Sequence, residues 1–223
     1  LSRISMRLVN DVLEAQGGES APYMARPPRR NLAVFAIAAY SAGEFLLPGH
    51  AVAGWLALAA AAAIANLLND WHVGRALLQR WALIPYLVYV CMALGYALIG
   101  LGRLSGNEMT SAGEHLLVVG SLGLAVLIVM AVAGRMHSGW GLDHRRWLPL
   151  GALLFVLAAL ARAGSSTPFG AAAATAGLHA AATLWIAGWS IYLAYSLKPL
   201  SGPRPDDRGG CDEAAPVVEA ATP

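Results

Sequence analysis

Six apolar runs separated by short polar segments dominate the pattern along the chain. The runs cover residues 31–47, 51–68, 82–101, 114–134, 147–163 and 174–196. Each approaches the roughly 20 residues that an α-helix needs to cross the hydrocarbon core of a bilayer. We therefore predict an all-α, polytopic integral membrane protein with six transmembrane helices in a bundle over residues 31–200. The run at 147–163 is short, and a tilted or partly re-entrant segment is the alternative there.

Two polar segments flank the predicted bundle. An apolar stripe over residues 1–16 predicts an amphipathic helix, which Gly17 and Gly18 end. This helix either lies on the cytoplasmic surface or is the end of an earlier span. Residues 1–30 are thus interpreted as a cytoplasmic amphipathic segment with a basic linker. Residues 201–223 are rich in Pro, Gly, Asp and Ala, which predicts a disordered cytoplasmic tail.

Composition and charge agree with a membrane location. Hydrophobic residues make up 57% of the chain and charged residues 13%, whereas soluble domains carry roughly 25% charged residues. Of the 15 Lys and Arg residues, all but Arg103 and Arg162 fall on one side of the predicted spans. The positive-inside rule then places both termini in the cytoplasm. The net charge of +2 reflects this topology, and no basic soluble domain for nucleic-acid binding is present.

Two histidines mark the ends of the fourth apolar run. His115 opens it on the predicted outer side, and His137 follows it on the cytoplasmic side. At 1.5 Å per residue the two lie about 33 Å apart, so one metal ion cannot bind both. Ser111 and Glu114 fit a capping box, which explains Glu114 but not His115. The positive end of the helix dipole favours neutral His115, the form that binds metals or haem iron.

Two more ionisable residues belong to the same predicted leaflet. Thr167 and Pro168 predict the start of the sixth helix, which places His179 about three turns into it. Glu44 lies at the outer end of the first helix. Ionisable groups inside a membrane are costly and face protein or water. A lone transmembrane histidine more often bonds to a neighbouring helix than binds a cofactor, yet neutral imidazoles on different helices are common ligands of haem and copper.

Other polar residues have simpler interpretations. Cys91 lies in the third span and Cys211 in the tail, so the sequence predicts neither a disulfide nor a cysteine metal site. The loop with His137, Asp143 and its neighbours is interpreted as a solvated basic connector in preference to a metal site.

The helix between the two histidines resembles part of the NnrS family. The stretch from His115 to Gly123, followed by Met130 and His137-Ser138-Gly139, is similar to the histidine-led helix and HTG motif of that family. Further similarity is found at 184–186, at 192–193 and at the exit 203–209, which resembles the RPRPDGRPG ending. The resemblance covers about residues 80–210. Ser138 and Trp140 depart from the Thr and Arg that the family usually has.

The resemblance implies a bacterial inner-membrane protein that contains haem and copper and is associated with denitrification and resistance to nitric oxide. NnrS proteins usually have about twice as many helices, so it also implies a carboxy-terminal half and, as a partner, the missing amino-terminal half. By motif, His115 and His137 are metal candidates, whereas His179 rests on its depth alone. We predict that His115 and His179 bind haem or metal, and that Glu44 supports them or handles protons.

Two alternatives from other classes stay open. One is a cofactor-free multi-pass transporter or half-transporter in which Glu44 and His179 line a proton or solute path. The other is a structural membrane subunit, which would keep its function when every histidine is replaced. No catalytic residue is predicted, and turnover of nitric oxide does not follow from the sequence.

Overall fold

The computed structural model describes residues 2–15, 23–24, 26–71, 73–167 and 172–205. These residues form helices and contain no strand, which confirms the predicted all-α class. The helices are α1 (Ser2–Ala15), α2 (Pro27–Leu46), α3 (Ala51–Leu68), α4 (Arg80–Ser105), α5 (Met109–His137), α6 (Trp147–Ser165) and α7 (Ala174–Ser201). Two 3-10 turns, Asn69–Trp71 and Gly74–Leu78, connect α3 to α4.

Five of the described helices are long and apolar enough to cross a membrane, namely α3 to α7. Helix α2 has 20 residues, but Arg29, Arg30 and Glu44 near its ends make it too polar to qualify by the same measure. The sixth span and the cytoplasmic termini therefore stay predictions. The short run at 147–163 forms one unbroken helix of 19 residues.

From α2 to α7 each helix packs mainly on the next one in sequence, whereas α1 packs on α4, and α4 also contacts α6. Helices α2 and α7 thus lie at the two ends of a row. Small residues let α3 approach α4 closely, because a Cβ atom at Gly100 would lie 2.8 Å from the carbonyl oxygen of Gly54. Ala57 and Ala61 are buried in α3.

Helix α1 is amphipathic as predicted, and it packs against α4. Leu8, Val9, Val12 and Leu13 are all buried. Asn10 holds Tyr23 against this helix, because its Oδ1 accepts the backbone N–H of Tyr23 at 2.7 Å. The two glycines predicted to end the helix lie outside the described residues, and so does the predicted tail from residue 206 onward.

Two predicted helix starts are wrong. Helix α5 begins at Met109, and Ser111 lies inside it instead of capping it, because Asn107 Oδ1 already accepts the Met109 N–H at 3.0 Å. Thr167 belongs to the turn after α6, where its Oγ1 donates to the carbonyl oxygen of Gly164 at 2.8 Å. Helix α7 begins at Ala174, and Pro168 lies outside the described residues.

Helix α5 is continuous but not uniform. It is α-helical over Met109–His115, π-helical over Leu116–Leu122 and α-helical again over Gly123–His137. Gly120 sits within the π-helical segment, where an added Cβ atom would lie 3.2 Å from both Ala159 Cβ and Cys91 Sγ. Neighbouring helices therefore hold this segment closely on two sides. π-Helical turns are rare and often occur at functional sites.

Candidate functional site

His115 is the last residue before the π-helical segment and is half-buried. Its Nδ1 lies 2.6 Å from the carbonyl oxygen of Ser111, which is one helical turn earlier. A carbonyl oxygen only accepts, so the ring donates its proton from Nδ1 and keeps a lone pair on Nε2. Histidines that bind metals are oriented in this way, because a bond from one ring nitrogen fixes the ring and its tautomer.

His179 lies on the exposed face of α7. The opposite face of α7 carries buried Ala181, Gly188 and Tyr192. The Oγ1 of Thr183 donates to the backbone carbonyl of His179 at 2.9 Å. This hydrogen bond involves only the main chain of His179 and not its imidazole ring. His179 is therefore accessible, but no ring contact comparable to that of His115 orients it.

The structure does not bring the predicted metal-binding histidines His115 and His137 together. His115 and His137 lie on one continuous helix, so the predicted separation of the two holds. His137 is exposed, and its backbone carbonyl accepts Arg204 Nη1 at 2.7 Å. Within the described part of the chain, no group of three or more His, Cys, Asp or Glu side chains is placed to hold a metal ion. Metal binding by His115, His137 and His179 stays a prediction.

Glu44 forms an ion pair with Arg103 at the same end of the bundle as His115. Both side chains are about three-tenths exposed, at 29% and 28%. Beside the pair, the rings of Tyr40 and Tyr96 meet edge to face at 5.3 Å. Glu44 Oε2 and Arg103 Nε are buried without a hydrogen-bond partner among the described residues. The sequence analysis missed this pair, although each charge lies at the predicted outer end of its helix.

The connector 138–146 between α5 and α6 is not simply solvated, because it folds around a buried carboxylate. Asp143 is 5% exposed and accepts the backbone N–H of Arg145 at 2.9 Å and Trp147 Nε1–H at 2.8 Å. Its Oδ2 also lies 3.5 Å from Arg135 Nη1. The side-chain hydrogen bond from Arg145 contributes most to holding the pKa of Asp143 far below its ordinary value. This carboxylate stabilises the fold and is not free to bind a metal.

The apolar helices and the polar groups at their ends define a polytopic α-helical membrane protein. Residues 1–204 match the model of the family described as NnrS protein. Because the match covers most of the 223 residues, the chain belongs to the NnrS family. The similarity therefore begins earlier than the predicted range 80–210 and includes α1, α2 and α3, and it ends at residue 204. No curated protein and no solved structure matches the chain.

Proposed function

We propose that this NnrS family protein protects bacteria against nitric oxide and nitrosative stress, or serves denitrification, from the inner membrane. Family membership supports the link to nitric oxide. The observation that carries the proposed cofactor role is the bond between His115 Nδ1 and the Ser111 carbonyl oxygen, which leaves Nε2 free to bind a metal. The π-helical segment that follows His115 is a second feature typical of functional sites.

In this proposal His115 is the first ligand of haem, and copper is the second metal candidate. A neutral imidazole with a fixed ring is the donor that both require, and His115 provides it. His179 is the proposed second ligand and His137 the further metal candidate. An amino-terminal half of the NnrS type is the proposed source of any remaining ligand.

Bound haem would supply ligand-binding and redox chemistry, and this chain would hold it through His115 Nε2. Glu44 is proposed to hold or release a proton near that end of the bundle, since its Oε2 has no donor among the described residues. The cellular role is then to keep iron from being trapped by nitric oxide. No residue is assigned a catalytic step.

The second candidate is a cofactor-free transporter or half-transporter. One observation favours it: the Glu44–Arg103 pair is an ionisable pair between helices with two buried, unpartnered atoms. Against it, Glu44 is on α2 and His179 on α7, at opposite ends of the row of helices. A shared path through both residues has no support in this arrangement.

Haem and copper contents of the purified protein, measured beside bacterial growth under a nitric oxide donor, test the proposal. We expect bound haem in the wild type, loss of haem and of protection in His115→Ala, and neither loss in His50→Ala. His50 is a suitable control because it caps α3, accepting the Val52 N–H at Nδ1. Protection that persists without haem or copper and disappears in Glu44→Gln would favour the transporter instead.

A further inference from the structure

A polar pocket lies at the opposite end of α5 from His115. It has a volume of about 280 Å³ and is formed by the last turns of α5 and α7 together with the connector 138–146. Its polar and aromatic lining consists of Arg135, Trp140, Arg145, Tyr195 and Lys198. None of these residues takes part in the proposed cofactor role of His115.

The pocket carries an excess of positive charge. Arg135, Arg145 and Lys198 contribute three cations, and both arginines contact a single carboxylate, Asp143. Three positive charges against one negative charge leave a net charge of +2. Cations held this close together repel one another, so an anion in the pocket would be stabilised by all of them.

Two residues that line the pocket, Arg135 and Trp140, carry buried donor atoms without an acceptor among the described residues. The side chain of Arg135 is 9% exposed, and its Nη1 has no hydrogen-bond partner among the described residues, although Asp143 lies 3.5 Å away. Its Nε donates to the Gly141 carbonyl at 2.9 Å. Trp140 Nε1 is also buried without a partner in the described part of the chain. Buried donors without acceptors are costly, so an anion that reached these two atoms would be stabilised by supplying the acceptors they lack.

Aromatic rings hold the cations in position. The guanidinium of Arg135 lies 5.8 Å from the ring centroid of Trp140, and that of Arg145 lies 4.8 Å from the ring centroid of Tyr195. Such cation–π contacts restrict the side chains before any ligand arrives. The donors therefore converge from three elements: α5, the connector and α7.

We propose that this pocket binds a phosphate group. Phosphate presents several acceptor oxygens in different directions, whereas a carboxylate presents two in one plane, so phosphate fits donors that converge from three elements. Arginine binds phosphate in a bidentate manner and lysine adds a point charge. The group could belong to a soluble phosphate or to the headgroup of an anionic lipid, since the pocket lies at the ends of membrane helices beside aromatic residues.

Binding of inorganic phosphate to the purified full chain, measured by calorimetry, tests this site. Lys198→Gln should weaken binding about tenfold, because it removes a charged contact. Trp140→Phe should weaken it roughly threefold through loss of the indole N–H. The control Arg75→Gln removes an exposed cation from the 3-10 turn Gly74–Leu78, outside the pocket, and should change nothing. Arg135 is left intact because it contacts Asp143.

Native mass spectrometry in mixed phosphatidylglycerol and phosphatidylcholine nanodiscs distinguishes the two sources of phosphate. Retained phosphatidylglycerol that excess phosphate displaces, and that Lys198→Gln loses, supports the site with a lipid headgroup as its ligand. Saturable phosphate binding without preference for either lipid supports the site with a soluble ligand. The proposal is overturned if neither probe binds saturably to the wild type, or if Lys198→Gln and Arg75→Gln weaken binding equally.

Discussion

Two carboxylates at opposite ends of the bundle, Asp143 and Glu44, are held in very different ways. Asp143 is 5% exposed and receives hydrogen bonds from Arg145 and Trp147, with Arg135 also close. Glu44 is 29% exposed and pairs with Arg103 alone, while its Oε2 stays without a partner among the described residues. A carboxylate with saturated contacts serves the fold, whereas one with a free oxygen can still exchange a proton or support a ligand.

The same contrast applies to the two ends of α5. At the connector end, the Arg135 guanidinium contacts the Asp143 carboxylate and belongs to a folded loop. At the other end, His115 Nδ1 bonds to the carbonyl oxygen of Ser111, and its Nε2 keeps a lone pair. We therefore expect changes at Asp143 to act mainly on stability and changes at the His115 end to act mainly on function.

Asp143→Asn should have the largest effect on stability. The substitution leaves Arg135, which is 9% exposed, without its carboxylate. Removal of one partner from a buried pair costs about 3–5 kcal/mol. Denaturant titration of the detergent-solubilised protein measures the change in the free energy of unfolding. Arg145→Gln is the comparison and should cost less, because Arg145 is 60% exposed. Equal costs for the two variants would show that burial does not determine the role of this carboxylate.

Gly113→Ala should disturb the His115 end by steric means. An added Cβ atom would lie 2.5 Å from the carbonyl oxygen of Gly95, so α4 and α5 must separate. Overpacking of this kind costs about 1–3 kcal/mol. Gly164→Ala is the matched control, since nothing lies within 4 Å of its added Cβ atom. A Gly113→Ala protein as stable as Gly164→Ala would contradict the close approach of the two helices.

Glu44→Gln should have a smaller effect on stability, about 1 kcal/mol, because the partly exposed amide still accepts a bond from Arg103. If the carboxylate exchanges a proton, the variant should lose protection against nitric oxide even though its free energy of unfolding changes little. Growth under a nitric oxide donor and denaturant unfolding, measured on the same variant, separate these effects. A loss of stability as large as that of Asp143→Asn would remove the contrast between the two carboxylates.

Acid should reduce the contribution of Asp143 by the smallest amount in this series. The side-chain hydrogen bond from Arg145 holds the folded pKa of Asp143 below the value of about 3.9 that an aspartate has in an unfolded chain, so its stabilising effect is present above that pH and is lost as the pH falls towards the folded pKa. The stability gap between wild type and Asp143→Asn should shrink by about 1 kcal/mol between pH 5 and pH 3. A gap that widens on acidification would contradict the direction of the pKa change.

The apolar pattern predicted α3 to α7 because helix length and hydropathy are local properties of the chain. It could not predict the π-helical segment Leu116–Leu122, whose apolar residues suit an ordinary α-helix equally well. The start of α5 was missed because Asn107 Oδ1, and not the side chain of Ser111, accepts the first helical N–H, that of Met109.

The polar residues also differ in whether the sequence alone could identify them. His115 could be identified because it stands at the start of an apolar run. The Glu44–Arg103 pair required knowledge of which helices adjoin, since the two residues are 59 positions apart. The burial of Asp143 likewise depends on packing around the connector. Contacts between distant residues therefore account for most of what the sequence left undetermined.

The most direct test of the central claim is the ultraviolet–visible spectrum of the purified, detergent-solubilised protein, oxidised and reduced. Wild type and His50→Ala should show the same Soret band, and His115→Ala should lose it. His179→Ala, measured alongside, tests the proposed second ligand by the same loss. A Soret band that is unchanged in His115→Ala, or a wild type without one after expression with sufficient haem, would contradict the assignment of His115 as a haem ligand.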